Sequence, residues 1–375
     1  MAKHNIILKI LVIGTNVITS DCDFGSLRMR QILSLLASAG HHVTFAASNL
    51  EYRASYLEDL QAKGICVVRR PYYRSLNQLL DERGKELDLV ILSRFVVAAQ
   101  WLYAVRKTAS KAFVVFDAMD LRFFRMVREA ELRNDEQAKK KAEAQKMQEL
   151  ALMRATNQTW VTSSEEKNGL AQMVPDVDTV LLSNIHMPEP KGKSFDHRAG
   201  ILFMGSFRHP LNIDAMLWYS NEVLPLLRHL LPNVISTIIG GDIPSSVKAL
   251  ASSDVVVTGD IENIAPYFAV TRVFIAPSRY SANVKEEIDQ AMSFGVPVVT
   301  TSIAAEGMYL VDGENALIAD DAQAFAEAIE RVYQDESLWR KIAQAGRAKL
   351  IPEACAQETM EAVLRRIVAK IYFLT

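Results

Sequence analysis

The sequence predicts an α/β protein built from two doubly wound parallel-sheet domains, and three observations carry that expectation. Short apolar runs alternate with amphipathic helical patterns along the whole chain. The alternation halts at residues 184–199, "NIHMPEPKGKSFDHRA", a stretch rich in Pro, Lys and polar residues, and then restarts. At 375 residues the chain is also too long for one ordinary core.

In the first half the strand candidates are "NIILKILVIG", "HVTFAAS", "ICVVRR", "DLVILS", "AFVVFD", "QTWVTS" and "DTVLLS". Between them lie helical stretches such as "SLRMRQILSLLASAG", with Leu27, Leu33 and Leu36 along one stripe and Gly40 as the stop. Strands that are apolar throughout, separated by helices, mean a parallel sheet covered on both faces. Residues 126–155 read as a single, strongly charged helix, its polar face solvated and held by local pairs, with a membrane or partner role as the alternative. The second half repeats the pattern with "GILFMGS", "NVISTIIGG", "DVVVTGD", "RVFIAPS", "PVVTTS" and "NALIAD". The expected domains are 1–186 and 200–355, with a linker at 187–199. Residues 356–375 form an amphipathic helix. It either packs back on the first domain or marks a cut from a longer polypeptide.

Composition narrows the class. Half the residues are hydrophobic and 23% are charged, which excludes a disordered chain. A formal net charge of −2 gives no global field toward nucleic acid or an anionic membrane, although peripheral membrane contact stays open. Cys22, Cys66 and Cys355 are far apart and the histidines are scattered, so neither zinc, nor any other metal, nor a disulfide framework is expected. No apolar run is long enough to span a bilayer, and no signal-peptide pattern opens the chain. A cytoplasmic protein is the expectation.

Chemistry is most legible in "PSRYSANVKEEIDQAMSFGVP". Asn283 and Glu286 have capping-box spacing, so a helix should begin there, with Val284, Ile288, Ala291 and Met292 as its buried stripe. Lys285 then lies in the first turn and Arg279 in the loop before it. A helix N-terminus flanked by two cations favours phosphate; ordinary surface cations are the competing reading. Glu306 and Gly307 end a strand, where the carboxylate either binds hydroxyls or caps a following helix. Gly25 and Ser26 stand at a helix start that either offers N–H groups to phosphate or is a plain N-cap. Asp117, Asp120 and Arg122 follow a buried strand. Asp120 is the candidate for polarising a hydroxyl and Arg122 for holding charge; a salt bridge at a helix start is the alternative.

From about Gly200 to Gly346 the chain resembles the nucleotide-sugar-binding half of family 4 GT-B glycosyltransferases. The resemblance is carried by "ILFMGSFRHPLNIDAMLWYSNEVLP", "STIIGG", "VVVTGDIENIAPYFAVTRVFIAPSRY" and "KEEIDQAMSFGVPVVTTSIAAEGMYLVDGENALIADD". "SDCDFGSLRMRQILSLLASAGHHVTF" and "FDAMDLRFFR" extend it to the first half. It implies a GT-B fold with two Rossmann-like domains and an interdomain cleft. It also implies retaining, metal-independent transfer from a nucleoside-diphosphate sugar to a hydroxyl of a glycan or lipid-linked acceptor, in bacterial surface-polysaccharide assembly. The donor is a co-substrate and no cofactor is expected.

By this resemblance Arg279 and Lys285 contact the diphosphate. Gly205 and Ser206 form a tight turn beneath it with Arg208 beside them, and Gly259 and Ile261 present backbone to the base. Glu306 and Gly307 face the donor sugar, and Gly25 and Ser26 meet the phosphates from the other domain. The chain departs from the family pattern at Ala282 and Gln290, where relatives carry glutamates, and at Ser281, Asn283 and Glu287. Those departures keep a second function open: a non-catalytic module that binds nucleotide sugar or glycan within a larger synthase. A sugar-nucleotide epimerase is a further alternative. A dinucleotide-dependent dehydrogenase is disfavoured, because no Gly-x-Gly-x-x-Gly follows a strand.

Overall fold

The computed structural model of the chain describes residues 6–15, 24–51, 54–132, 134–182, 192–259, 261, 263–280, 286–350 and 353–372. It contains two compact units. One comprises residues 1–123, 140–185 and 354–375; the other comprises 124–139 and 186–353.

The first unit holds seven parallel strands: β1 (Lys9–Gly14), β2 (His42–Ala47), β3 (Cys66–Val68), β4 (Leu89–Ser93), β5 (Phe113–Asp117), β6 (Gln158–Val161) and β7 (Thr179–Leu181). Their order is β3-β2-β1-β4-β5-β6-β7. Central β1 sets Ile10 between Val43 of β2 and Leu89 of β4. All three side chains are buried, as a sheet covered on both faces requires. The helix Phe24–Ser38 buries Leu33 and Leu36, while the Leu27 side chain lies outside the described residues. Gly40 ends this segment at φ +86°, a left-handed conformation that glycine adopts without a Cβ penalty.

The C-terminal helix, Glu353–Tyr372, belongs to the same core. Met360, Val363, Leu364 and Ile367 pack among Leu8, Ile10, Leu33 and Trp160. Each such buried side chain contributes roughly 1.5–3 kcal/mol. Lys370 Nζ adds a 2.6 Å contact to Asp178, and the Tyr372 hydroxyl donates to Asp88 at 3.0 Å.

One expected element is corrected. Residues 126–155 are not a single helix: Arg122–Leu132 and Glu136–Ala155 are separate, with Asn134 between them at φ +49°. The Asp135 carboxylate accepts the Gln137 and Ala138 N–H groups and so starts a new helix.

The second unit holds β8 (Ala199–Met204), β9 (Ser236–Ile239), β10 (Val255–Thr258), β11 (Thr271–Ala276), β12 (Val298–Thr300) and β13 (Leu317–Ile318), all parallel, in the order β10-β9-β8-β11-β12-β13. Each of the thirteen apolar runs read from the sequence therefore contains a strand. Trp218 meets Phe325 edge-on at 5.5 Å inside the core. Of the expected linker, 187–199, residues 187–191 lie outside the described residues. Within its described part, the buried Arg198 guanidinium donates to the carbonyls of Lys193, Phe268, Thr271 and Phe294. Burial lowers its pKa to about 10, which leaves it charged at neutral pH.

Candidate functional site

In the second unit the chain runs outward from β8 through β9 to β10, then returns to the other side of β8 as β11 and continues to β12 and β13. The β8/β11 junction is therefore the topological switch point, where ligands of such sheets gather at the carboxyl ends of the strands. Those ends carry Gly205 after β8, Gly240 after β9, Gly259 after β10, Arg279 after β11 and Thr301 after β12. Most of the sequence-derived donor residues thus fall along one edge of one sheet.

The loops after β8 and β9 touch backbone to backbone. Gly205 N–H donates to the Ile239 carbonyl at 3.0 Å, and Phe207 N–H to the Gly241 carbonyl at 3.1 Å. A Cβ on Gly240 would lie 2.0 Å from the Gly205 oxygen, so only glycine allows the approach. Ser206 is held by its carbonyl, which accepts from Asn212 Nδ2 at 2.9 Å. Beside these turns opens a cavity of about 640 Å³, lined by Arg208, Gly241, Asp242, Ile243, Lys248 and Gly259 among others. That volume is in the range of small-molecule sites. Arg208 Nε donates to Asp242 at 2.5 Å, and Lys248 supplies a second cation. Ile261 is described and half-buried.

Arg279 is set by Asp214, from the helix Pro210–Trp218 that follows β8. Nε donates to Oδ2 at 3.0 Å and Nη2 to Oδ1 at 2.6 Å. This bidentate fork raises the affinity of the guanidinium for its proton and leaves Nη1 without a partner among the described residues. Lys285, Ala282, Ser281 and Asn283, and with them the expected helix start, lie outside the described residues. The helix is described from Glu286 to Ser293, with Ile288, Ala291 and Met292 buried as expected. Lys349 Nζ pins it through Asp289 at 2.6 Å. On the same helix, Gln290 Oε1 is buried with no hydrogen-bond donor among the described residues.

Beyond β12, the Thr301 hydroxyl donates to the Ser278 carbonyl at 2.5 Å, and its oxygen accepts from Ala304 N–H. That bond caps the short helix Ser302–Ala305 and ties the loops after β11 and β12 together. Glu306 does not end the strand itself: it is the C-cap of this helix, its N–H donating to the Ile303 carbonyl, and its carboxylate pairs with Arg128, which the 124–139 segment brings to the second unit. Gly307 at φ +73° turns the chain away.

In the first unit, Gly25 and Ser26 occupy the first turn of the Phe24–Ser38 helix. Asp117 is fully buried and accepts from Arg28 Nη2 and the Ser93 hydroxyl, both at 3.0 Å, a structural role. Asp120 sits in the turn after β5, and Arg122 opens the next helix with its guanidinium 5.7 Å from the Phe95 ring centroid. Two buried acids that lie against that turn from other helices, Glu149 and Glu166, escaped the sequence reading, as did Asp214, Arg128 and Lys248. Among the described residues, no three His, Cys, Asp or Glu side chains are grouped to hold a metal ion. No described helix is long and apolar enough to cross a membrane.

Two Rossmann-like units, each an α/β layer around its own parallel sheet, define the GT-B class of fold. Within it, residues 198–335 match the family model described as "Glycosyl transferases group 1". The chain is 30% identical over 174 residues to an uncharacterised 44.6 kDa protein in the cps region of Klebsiella pneumoniae, covering 44% of this chain and 45% of that protein. It is 29% identical over 149 residues to the lipopolysaccharide core biosynthesis glycosyltransferase LpsE of Rhizobium meliloti (strain 1021), covering 37% and 43%. The matches thus span less than half the length of these curated relatives. Among solved structures, HepE of Anabaena in complex with UDP and glucose superposes with a TM-score of 0.68 at 14% identity, over 96% of this chain and all of that one.

Proposed function

We propose that this protein is a retaining, metal-independent glycosyltransferase that moves a sugar from a nucleoside-diphosphate donor to a hydroxyl of a glycan or lipid-linked acceptor. The observation that carries the reading is the order of groups along the second sheet. A cavity lined by glycine backbone, Arg208 and Lys248 lies at the ends of β9 and β10. The Arg279 fork follows at β11, and Glu306 beyond β12. That order runs base, diphosphate, sugar.

Gln290 fits the sequence of groups as well. Its orphaned Oε1 is an acceptor that a ribose hydroxyl would satisfy, as the family resemblance assigns to this position. Arg279 and Lys285 would stabilise the departing diphosphate, and positioning would supply most of the remaining rate. LpsE acts in lipopolysaccharide core biosynthesis by its name, and HepE was solved with UDP and glucose. HepE supports a UDP-sugar donor, and LpsE a role in surface-polysaccharide assembly.

The neutral amide at Gln290, where the family carries a carboxylate, favours a second reading: a module that binds nucleotide sugar without turning it over. Calorimetry and nucleotide-release assays with UDP-glucose, GDP-mannose and dTDP-glucose test both. Binding with release supports the transferase, and binding without release across an acceptor panel supports the module. Absence of binding to all three sinks both readings.

A further inference from the structure

The turn from Ala118 to Phe123 is held with unusual thoroughness for a surface connection. Met119 sits at φ +58°, a conformation that costs a non-glycine residue energy and persists only when its surroundings enforce it. Ala118 N–H donates to the Trp160 carbonyl at 3.0 Å, and the Thr162 hydroxyl to the Met119 carbonyl at 3.0 Å. Leu121 N–H donates to Glu166 Oε1 at 3.0 Å, and Phe123 N–H gives Glu149 a backbone hydrogen bond. Leu121 and Phe123 flank Arg122, the first residue of its helix, so both are donors that a helix start leaves without internal partners. Two carboxylates from two other helices, Glu136–Ala155 and Ser164–Met173, therefore do the work of caps.

Such caps are expensive ones. Glu149 and Glu166 are both fully buried, and Glu149 Oε2 has no partner among the described residues. A serine or asparagine satisfies the same N–H groups without removing a carboxylate from water. Both acids also feel the charge of Asp120, and Glu149 that of Arg122. What they fix is the turn that carries Asp120 and Arg122, the sequence's candidates for polarising a hydroxyl and holding charge.

We propose that Glu166 and Glu149 are positioning residues that clamp the 118–123 turn and so set where Asp120 and Arg122 meet the acceptor. The inference rests on the proposed transfer to a hydroxyl and on Asp120, the residue the sequence marks as the candidate for polarising that hydroxyl. No bond is made or broken at either glutamate; their effect passes through the turn.

The test uses the full chain and whichever of UDP-glucose, GDP-mannose and dTDP-glucose it hydrolyses fastest. Rate of nucleotide release is followed from pH 5.5 to 9, with nucleotide affinity measured alongside. Glu166→Gln keeps an oxygen for Leu121 N–H but cannot ionise. It is expected to bind nucleotide within about twofold of the parent, to lose about tenfold in kcat, and to lose an inflection near neutral pH. Glu149→Gln is expected to behave likewise, more mildly. Asp120→Asn combined with Glu166→Gln should be no slower than Asp120→Asn alone, because both act through one group.

A Glu166→Ala chain that fails to fold leaves the isosteric variants as the deciding ones. Parent-like kcat and pH profile in both glutamine variants, with Asp120→Asn impaired, overturns this inference alone. Unchanged rates for Asp120→Asn, or no release from any of the three donors, overturn the underlying reading and this inference with it.

Discussion

Asp214 holds Arg279 in a two-point fork, Nη2 to Oδ1 at 2.6 Å and Nε to Oδ2 at 3.0 Å, across 65 residues of sequence. The fork fixes a planar guanidinium at the switch point of the second sheet and points its remaining nitrogen away from the carboxylate. A diphosphate meets a cation already oriented, so little side-chain entropy is lost on binding. Arg279→Ala should weaken UDP binding about 10- to 100-fold by calorimetry, the worth of charge-assisted hydrogen bonds. Arg279→Lys should fall between, since an ammonium cannot reproduce the fork, and Asp214→Ala should cost about threefold. Parent-like UDP affinity in Arg279→Ala removes Arg279 from the donor site.

Gly240 and Gly259 make a controlled pair. A Cβ at Gly240 meets the Gly205 oxygen at 2.0 Å, whereas one at Gly259 meets nothing within 4 Å. Gly240→Ala should destabilise the second unit by about 1–3 kcal/mol, as overpacking does, and reduce nucleotide binding. Gly259→Ala should leave the denaturation midpoint in place. Equal effects of the two changes would contradict the backbone contact described.

Glu149 and Glu166 give stability an unusual dependence on pH. Burial, with the charge of Asp120 adding to it, raises each from 4.5 to about 7, against the hydrogen bond from Gln145 and the pull of Arg122 on Glu149 and the backbone N–H groups on both. The folded state therefore holds these protons where the unfolded chain releases them. Their contribution is full below about pH 4.5, declines as pH rises toward 7 and is gone above it, the reverse of a salt-bridged carboxylate. Its ceiling is on the order of 3 kcal/mol per group. Urea midpoints should fall between pH 5 and 7.5, and Glu166→Gln should flatten that slope. A parent slope unchanged in the variant would place the protons elsewhere.

Glu306 and Arg128 should separate sugar from nucleotide. Glu306→Gln is expected to leave UDP affinity intact while slowing release from UDP-glucose by about tenfold, because the carboxylate lies beyond the diphosphate position. Arg128→Ala should shift stability by less than about 1 kcal/mol, since the pair is roughly one-third exposed. Its effect on turnover should vanish in a Glu306→Gln background. A drop in UDP affinity for Glu306→Gln would relocate the donor.

The strands were readable because a parallel sheet buries both faces, leaving apolar runs such as "DLVILS" and "AFVVFD" that no surface element tolerates. The switch-point glycines and Arg279 were readable because turns demand particular residue types at fixed offsets. Asp214, Arg128 and Arg28 were not, since an ion pair between side chains far apart in sequence leaves no local period. Glu149 and Glu166 look in sequence like glutamates on solvated helix faces, and periodicity does not report that a charged position is buried. The break between Leu132 and Glu136 was masked similarly: Asn134 and Asp135 are ordinary surface residues until one takes a left-handed φ and the other caps.

The helix Glu353–Tyr372 fills the core of a unit whose first strand begins at Lys9. During translation, β1 thus leaves the ribosome long before Met360 and Ile367, the side chains that seal it. The later-encoded unit can close while the earlier one still waits with an open apolar groove. Truncation within the last twenty residues would therefore injure the half of the molecule made first.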